Sequence, residues 1–225
     1  MVTLVDMGRR EHFSKEQILD GALRAVVAHG RAVSVAQIGE AIGAPTGSIY
    51  HRFSSRDDLM AQLWLRSIRR FHQQLFQVAD PALTPDDALV AMASKTVTYC
   101  RAHPDEALAM TLYSQERLLR VAPDHLRDDV IHINDQAFAL MARLGALRFP
   151  ALAHDPQLVL FIYTAVIGIA YGLLRQHIPA MSPIPTWLDT LVEGAARAAL
   201  TVADTWVSLP LPDAVPPAKP GGVTT

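Results

Sequence analysis

Between Ser34 and Phe53 the chain reads SVAQIGEAIGAPTGSIYHRF, a segment that can fold in few ways. Ser34 and Gln37 have the spacing of a capping box, in which the serine oxygen and the glutamine each satisfy a free backbone N–H at a helix start. Val35, Ile38, Ala41 and Ile42 follow on one helical face, the expected buried stripe. Gly43 can take the positive φ that a helix C-terminus prefers, so it closes the helix in a tight turn. A second short helix then opens on Thr46, Gly47 and Ser48, small groups that let the backbone approach a duplex. Ile38, Ile42 and Ile49 can hold the two helices at a fixed angle, while Tyr50 and His51 project outward with hydrogen-bonding tips. Helix, glycine turn and helix in this order make a helix-turn-helix, which lays one helix into the major groove of DNA.

The flanks are helical too. Ser14 and Gln17 form another capping box, starting a helix with Ile18, Ala22, Ala25 and Val26 on one face and an end near Gly30. Ser55 and Asp58 make a third box, opening a longer helix through about Val78. Proline just inside a helix costs no hydrogen bond, and Thr84-Pro85, His103-Pro104, Ala122-Pro123 and Asp155-Pro156 mark further starts. Ser182-Pro183-Ile184-Pro185 introduces a last helix from about Thr186 to Asp204. Strand signals are almost absent. The pattern predicts an all-α chain of nine helices, three short ones at the head and six behind. The Pro- and Gly-rich stretch 208–225 has little to bury and is expected to be disordered.

Half of the 225 residues are hydrophobic, enough for a sizeable core. The formal charge of −2 hides an asymmetry, with the excess of basic residues in the first 56 positions and the excess of acids behind them. A mildly basic head on an acidic body suits a head that touches phosphates, although so small an excess also fits ordinary scatter. A constitutive architectural DNA binder would be strongly basic, which this chain is not. Cys100 is the one cysteine, so no internal disulfide can form. The start, MVTLVDMGRR, lacks the apolar run of a secretory signal, and a cytoplasmic location is expected. Leu158 to Leu174 is uncharged and near the shortest membrane-spanning length. Thr164, two glycines and the lack of basic flanks favour a helix buried between subunits and no membrane.

Residue by residue, GAPTGSIYHRFSSRDDL resembles the recognition segment of the TetR family of bacterial repressors, which typically reads Gly-Val-Ser-x-Gly-Thr/Ser-Leu/Ile-Tyr-x-His/Tyr-Phe with a lysine a few residues on. Gly43, Gly47, Ser48, Ile49, Tyr50 and Phe53 match directly, and Arg56 stands where the lysine usually is. Ile38-Gly39-Glu40-Ala41 is similar to the family's Ile-Ala-x-x, with Gly39 in place of alanine. The resemblance is specific over about Phe13 to Leu59. Ala44, Pro45 and Arg52 depart from the pattern and bear on base preference. The resemblance implies a helix-turn-helix DNA-binding domain at 1–55 and an effector-binding and dimerisation domain at 56–207. It implies that Thr46, Ser48 and His51 face base edges or nearby phosphates, with Gly47 between them. Tyr50 and Arg56 would bind phosphate, and Ser34 would present a helix N-terminus to one. Ser34 and Ser55 cap helices with or without DNA, and half-buried packing is the lesser alternative for Tyr50.

A lone head binds weakly, so a homodimer is required to place two heads on a palindromic operator in double-stranded DNA. Small residues three or four apart suit close helix contact. Ala165, Gly168 and Gly172 have that spacing, as do Gly194, Ala195 and Ala198 on the last helix, with Leu160 and Leu191 filling gaps. In the TetR family the last two helices of each subunit make a four-helix dimer bundle, which these residues resemble; an intramolecular core would tolerate them too. The helices between would hold a small, mostly apolar effector. Trp64, Ile68 and Phe71 lie on the fourth helix, and Met92, Thr96, Tyr99 and Cys100 on the fifth. Met110 and Tyr113 follow on the sixth, with Asn134, Phe138 and Met141 on the seventh. For any single one of these, plain core packing is the competing reading.

His125, Asp129 and His132 stand at i, i+4, i+7, a spacing able to chelate a metal, but no second cluster completes a tetrahedral site. A solvated face with favourable pairs explains them as well. Cys100 and His103 lack a third orienting group for nucleophilic chemistry. No catalytic residue, metal or cofactor is therefore expected, and an all-helical small-molecule enzyme is the weaker rival to a ligand-responsive repressor.

Overall fold

The computed structural model describes residues 13–78 and 82–207, and every secondary-structure element among them is helical. The Pro/Gly-rich stretch 208–225 lies outside the described residues, as do Arg9 and Arg10 of the basic head. Helix α1 (Lys15–His29) opens on the full Ser14/Gln17 capping box. Helix α2 (Val35–Ile42) opens on the Ser34/Gln37 box and stops at Gly43, whose φ of 68° and ψ of 22° are left-handed. Helix α3 spans only Thr46–Tyr50. Helix α4 (Arg56–Gln77) starts at Ser55, which accepts from Asp58 N at 3.0 Å. The reciprocal half of that third box is displaced by one residue, because the Asp58 carboxylate accepts from the backbone N–H and hydroxyl of Ser54 instead.

Two hydrophobic clusters organise the molecule. The first gathers Ile18, Ala22, Val26, Ile38, Ile49 and Phe53 from the head with Leu59, Met60 and Leu63 from the first turns of α4. Within the stripe expected on α2, Val35 and Ile38 are buried, Ile42 is half-buried and Ala41 is exposed. The helix rests on α1 along a narrower edge than its four apolar positions suggest. Ile68, further along α4, packs against both clusters and joins head to body.

The body is built around α5 (Pro85–Ala102), capped by Thr84 and buried on nearly every side, as an enclosed helix requires. Behind it the chain divides more finely than six helices. Between residues 103 and 134 it forms the short α6 (Pro104–Met110), α7 (Gln115–Leu119) and α8 (Arg127–Ile131). Helix α9 (Asp135–Arg148) follows. The apolar rod then runs as α10 (Pro156–Tyr163), a π-helical turn (Thr164–Gly168) and α11 (Ile169–Leu174). The extra residue in a π turn rotates the faces that follow it. Pro156–Leu174 is long and apolar enough to cross a membrane; here Leu158, Ile162, Val166, Ala170 and Leu174 are buried in the body core. Helix α12 (Trp187–Val207) closes the fold against α5. The Arg101 fork fixes its start, reaching Asp189 with two bonds of 2.9 Å and the carbonyls of Ile184 and Pro185.

Candidate DNA-binding head and ligand cavity

The recognition helix is held from behind and bare in front. Ile49 and Phe53 are 1 % exposed and anchor α3 in the head core. Thr46, Gly47 and His51 are exposed, Ser48 is half-buried and Tyr50 is 55 % exposed. Tyr50 is therefore not a half-buried packing residue. A Cβ added at Gly47 would meet nothing within 4 Å, so the backbone there is open to an approaching surface. Pro45 precedes α3 with extended backbone and gives no side-chain cap; its carbonyl accepts from Ser48 N at 2.9 Å. Ser34 lies exposed at the start of α2 with its oxygen engaged in the cap.

Arg56 does something other than wait for a phosphate. Its Nε donates to the Val33 carbonyl at 2.6 Å and a terminal nitrogen donates to the Arg31 carbonyl. It bolts α4 to the α1–α2 connection. Arg52, by contrast, is exposed, next in sequence to the exposed Tyr50 and His51.

The head is wired to the body by charge. Arg66, only 8 % exposed, donates to Asp20 at 2.8 Å and Glu16 at 3.1 Å on α1. Glu106 on α6, also buried, accepts from Ser67 and Arg70 on α4. Arg66 Nε and Nη2 are buried without a hydrogen bond. Arg31 stacks over the ring of Tyr113, 4.6 Å from its centre, adding a cation–π contact between the head and the α6–α7 connection.

A cavity of about 960 Å³ opens in the body. Of the residues expected there, Trp64, Ile68, Phe71, Thr96, Met110, Tyr113, Asn134 and Phe138 line it, with Cys100. Met92, Tyr99 and Met141 do not: they point into the body core, where Tyr99 packs its ring against Phe71 and His103. The helices are the expected ones, but three side chains face the other way around them. The far wall is one that the sequence pattern did not disclose. It comes from the apolar rod through Val159, Leu160, Tyr163, Ile167 and Tyr171, and from Arg175 just beyond α11. Tyr163, Tyr171 and Arg175, polar tips spaced by multiples of four on an otherwise apolar rod, are the signal that could have found it. His72, likewise unforeseen, lines the same space, and burial lowers its imidazole to about 4, so it stays neutral. Burial also pushes the Cys100 thiol up to about 12, which holds it protonated and unreactive.

The residues expected at a dimer surface separate. Leu191, Gly194 and Ala198 are exposed on α12 with Ala195 half-buried, and Gly172 and Gly168 are exposed and half-buried on the rod. Ala165 is 3 % exposed and packs inside the subunit, so it cannot face a partner; the π turn directs it to the core. The three residues at chelate spacing are not brought together. His125 lies 3.3 Å from Asp58, Asp129 pairs with Arg69 at 2.7 Å, and His132 pairs with Asp135 at 2.6 Å. No group of three or more ligating side chains stands ready for a metal among the described residues.

Among the described residues the molecule is all-helical, with an outward-facing helix-turn-helix and a cavity behind it. Residues 18–63 match the family described as bacterial regulatory proteins, tetR family, so the resemblance carried by Gly43, Gly47, Ser48, Ile49, Tyr50 and Phe53 is borne out. No curated protein matches the chain in sequence. The whole fold is similar to solved structures at low identity. The fatty acid degradation regulator FadR from Bacillus halodurans is 17% identical over 85% of this chain and 97% of its own, with a TM-score of 0.64. The TetR family transcriptional regulator PfmR from Thermus thermophilus is 14% identical over 82% and 97%, at 0.62. The transcriptional regulator FadR from Bacillus subtilis, solved with stearoyl-CoA, is 16% identical over 84% and 98%, at 0.61.

Proposed function

We propose that the chain is a homodimeric, cytoplasmic repressor that grips palindromic operator DNA and releases it when a small, mostly apolar effector fills the body cavity. One observation carries this reading: α3 buries Ile49 while turning Thr46, Gly47 and Tyr50 to solvent, with the exposed His51 just behind it. A core helix would bury an aromatic at that position, and Tyr50 is instead free to place its hydroxyl on a phosphate. Thr46, Ser48 and His51 would then meet base edges, Ser34 a phosphate at the start of α2, and Arg52 a further phosphate. Arg56 serves the shape of the head rather than the contact.

Release follows from where the cavity wall is fastened. Trp64 lines the cavity, and its indole N–H donates to the carbonyls of Met110 and Tyr113 at 3.0 and 3.1 Å. Tyr113 lines the cavity and carries Arg31 of the head on its ring. An effector that favours a different setting of α6 against α4 shifts the heads through these contacts. Couplings of this kind are commonly about 1–3 kcal/mol, and the effector must prefer one setting to act at all. The Bacillus subtilis neighbour's complex with stearoyl-CoA supports an effector with a large apolar part.

The test is an electrophoretic mobility shift with DNA from upstream of the gene. The wild-type protein shifts it, and Tyr50→Ala abolishes the shift while still sedimenting as the wild type does. Wild-type affinity in Tyr50→Ala would remove the basis of the reading.

A further inference from the structure

The chemistry of the cavity wall narrows the ligand class, on the reading that this cavity is the effector site. Most polar side chains in the wall are already spent within the protein. Thr96 donates to the Met92 carbonyl and Thr111 to that of Leu108. Ser114 caps α7. Gln115 donates to the carbonyls of Val130 and Ile131 and accepts from Asn134. These groups present mainly their hydrocarbon to a ligand. Among the described residues no Asp or Glu lines the cavity, so none of the described wall neutralises a cationic ligand.

Among the described residues Arg175 is the single Lys or Arg in the lining. It is exposed yet lines the cavity, which places it at the mouth. Among the described residues its guanidinium makes no hydrogen bond or ion pair, whereas Arg66, Arg69, Arg70, Arg101, Arg148 and Arg197 of the body all pair with carboxylates. One helical turn before it, Tyr171 lines the same wall. Arg175 N donates to the Tyr171 carbonyl at 3.0 Å, so the two residues stand one helical turn apart on the same face, and burial lifts the Tyr171 hydroxyl above its usual range while the Arg175 charge works against that lift. The tyrosine therefore stays a hydrogen-bond donor at neutral pH.

We infer that the cavity takes an amphipathic anion, with its apolar chain inside and its anionic group at the mouth on the Arg175 guanidinium, the Tyr171 hydroxyl donating beside it. A charge-assisted bond to a guanidinium is about twice as strong as a neutral one. A neutral apolar compound leaves that term unused, and a cation meets Arg175 with repulsion. Two sources supply the same chemistry: a free carboxylate, or the phosphates of a coenzyme A thioester.

The experiment is calorimetric titration of the full chain with dodecanoate, dodecanoyl-coenzyme A and the neutral methyl dodecanoate. At least one anion binds about 10- to 100-fold tighter than the ester, the range for one hydrogen bond to a charged group. The tighter anion identifies the source. Arg175→Gln brings the anion down to the affinity of the ester and leaves the ester unchanged, while Arg175→Lys keeps part of the preference. The inference is overturned if neither anion binds wild-type protein, if the ester binds as well as the anions, or if Arg175→Gln keeps the preference. It is also overturned if Arg175→Gln loses ester and anion equally at an unchanged melting temperature. Should that variant melt early, Arg175→Lys decides, and loss of its preference counts against the inference. A mobility shift on the same wild-type protein without ligand judges the regulator reading separately, since anion binding without DNA binding sinks that reading and keeps this one.

Discussion

Single residues in the head divide between those that shape it and those it presents. Gly39 belongs to the first kind. After α2 the chain doubles back so tightly that Ala44 N donates to the Gly39 carbonyl at 2.9 Å. A Cβ at position 39 would lie 2.5 Å from the Ala44 carbonyl oxygen, a backbone atom that cannot rotate away. The alanine common in the TetR family at this place does not fit the turn that Gly43-Ala44-Pro45 makes here. Gly39→Ala gains about 1 kcal/mol of helix propensity but meets an overpacking cost of about 1–3 kcal/mol. The net expectation is a lower denaturation midpoint and weaker operator binding, because the misfit lies under α3. A higher midpoint in urea would mean that the turn yields easily and that glycine is not required. Arg56 belongs to the same class, and its match to a phosphate-binding lysine in sequence hid a structural duty that only the three-dimensional position of the Val33 and Arg31 carbonyls reveals.

Elements are legible to the degree that their signals are local. The Ser14/Gln17 and Ser34/Gln37 boxes, the Gly43 stop and the proline starts at Pro85, Pro104 and Pro156 each concern four or five neighbouring residues, and each marks a real boundary. Which face of a helix meets which neighbour is not local. Thr96 lines the cavity, while Met92 and Tyr99 on the same α5 are buried in the body core, a division made by the helices packed around α5. In the sequence, small residues on the rod read as a subunit contact, and that reading masks the cavity face the rod also carries. The α4–α6 contact offers a test at this scale. Trp64→Phe keeps most of the apolar area but strips the shared donor from the Met110 and Tyr113 carbonyls, at a cost of about 1–3 kcal/mol. The variant should melt earlier and keep operator affinity within a few-fold without ligand. It should also need more ligand for half-release, since the fastening between cavity wall and α4 is gone. An unchanged half-release concentration would remove Trp64 from the route.

For the molecule as a whole, an exposed apolar stripe runs along α12. Trp187, Leu191 and Val202 are 59 %, 45 % and 61 % exposed along α12, with Gly194 and Ala198 between them. Nothing lies within 4 Å of a Cβ placed at Gly194 or at Gly172 on the rod, so both backbones are open to close approach. Charge does not fill the gap, because Arg197 and Glu193 beside the stripe pair with each other. Apolar patches of this kind mark interaction surfaces, and small residues at helical spacing set how near a partner helix can come. A second copy related by two-fold symmetry would bury the stripe against itself and hold two recognition helices at a fixed separation. Leu191→Asp tests this, because an aspartate at an exposed position costs the lone subunit little but would lie unpaired inside the interface. Sedimentation should report a monomer, circular dichroism an unchanged helical content, and the mobility shift an affinity at least about 10³-fold weaker, the gap between specific and non-specific DNA binding. A dimer with wild-type operator affinity would place the interface elsewhere, and the stripe would then need another partner. A folded monomer that still binds the operator at full strength would instead show that one head suffices, which the short α3, with its five residues, makes the least expected outcome.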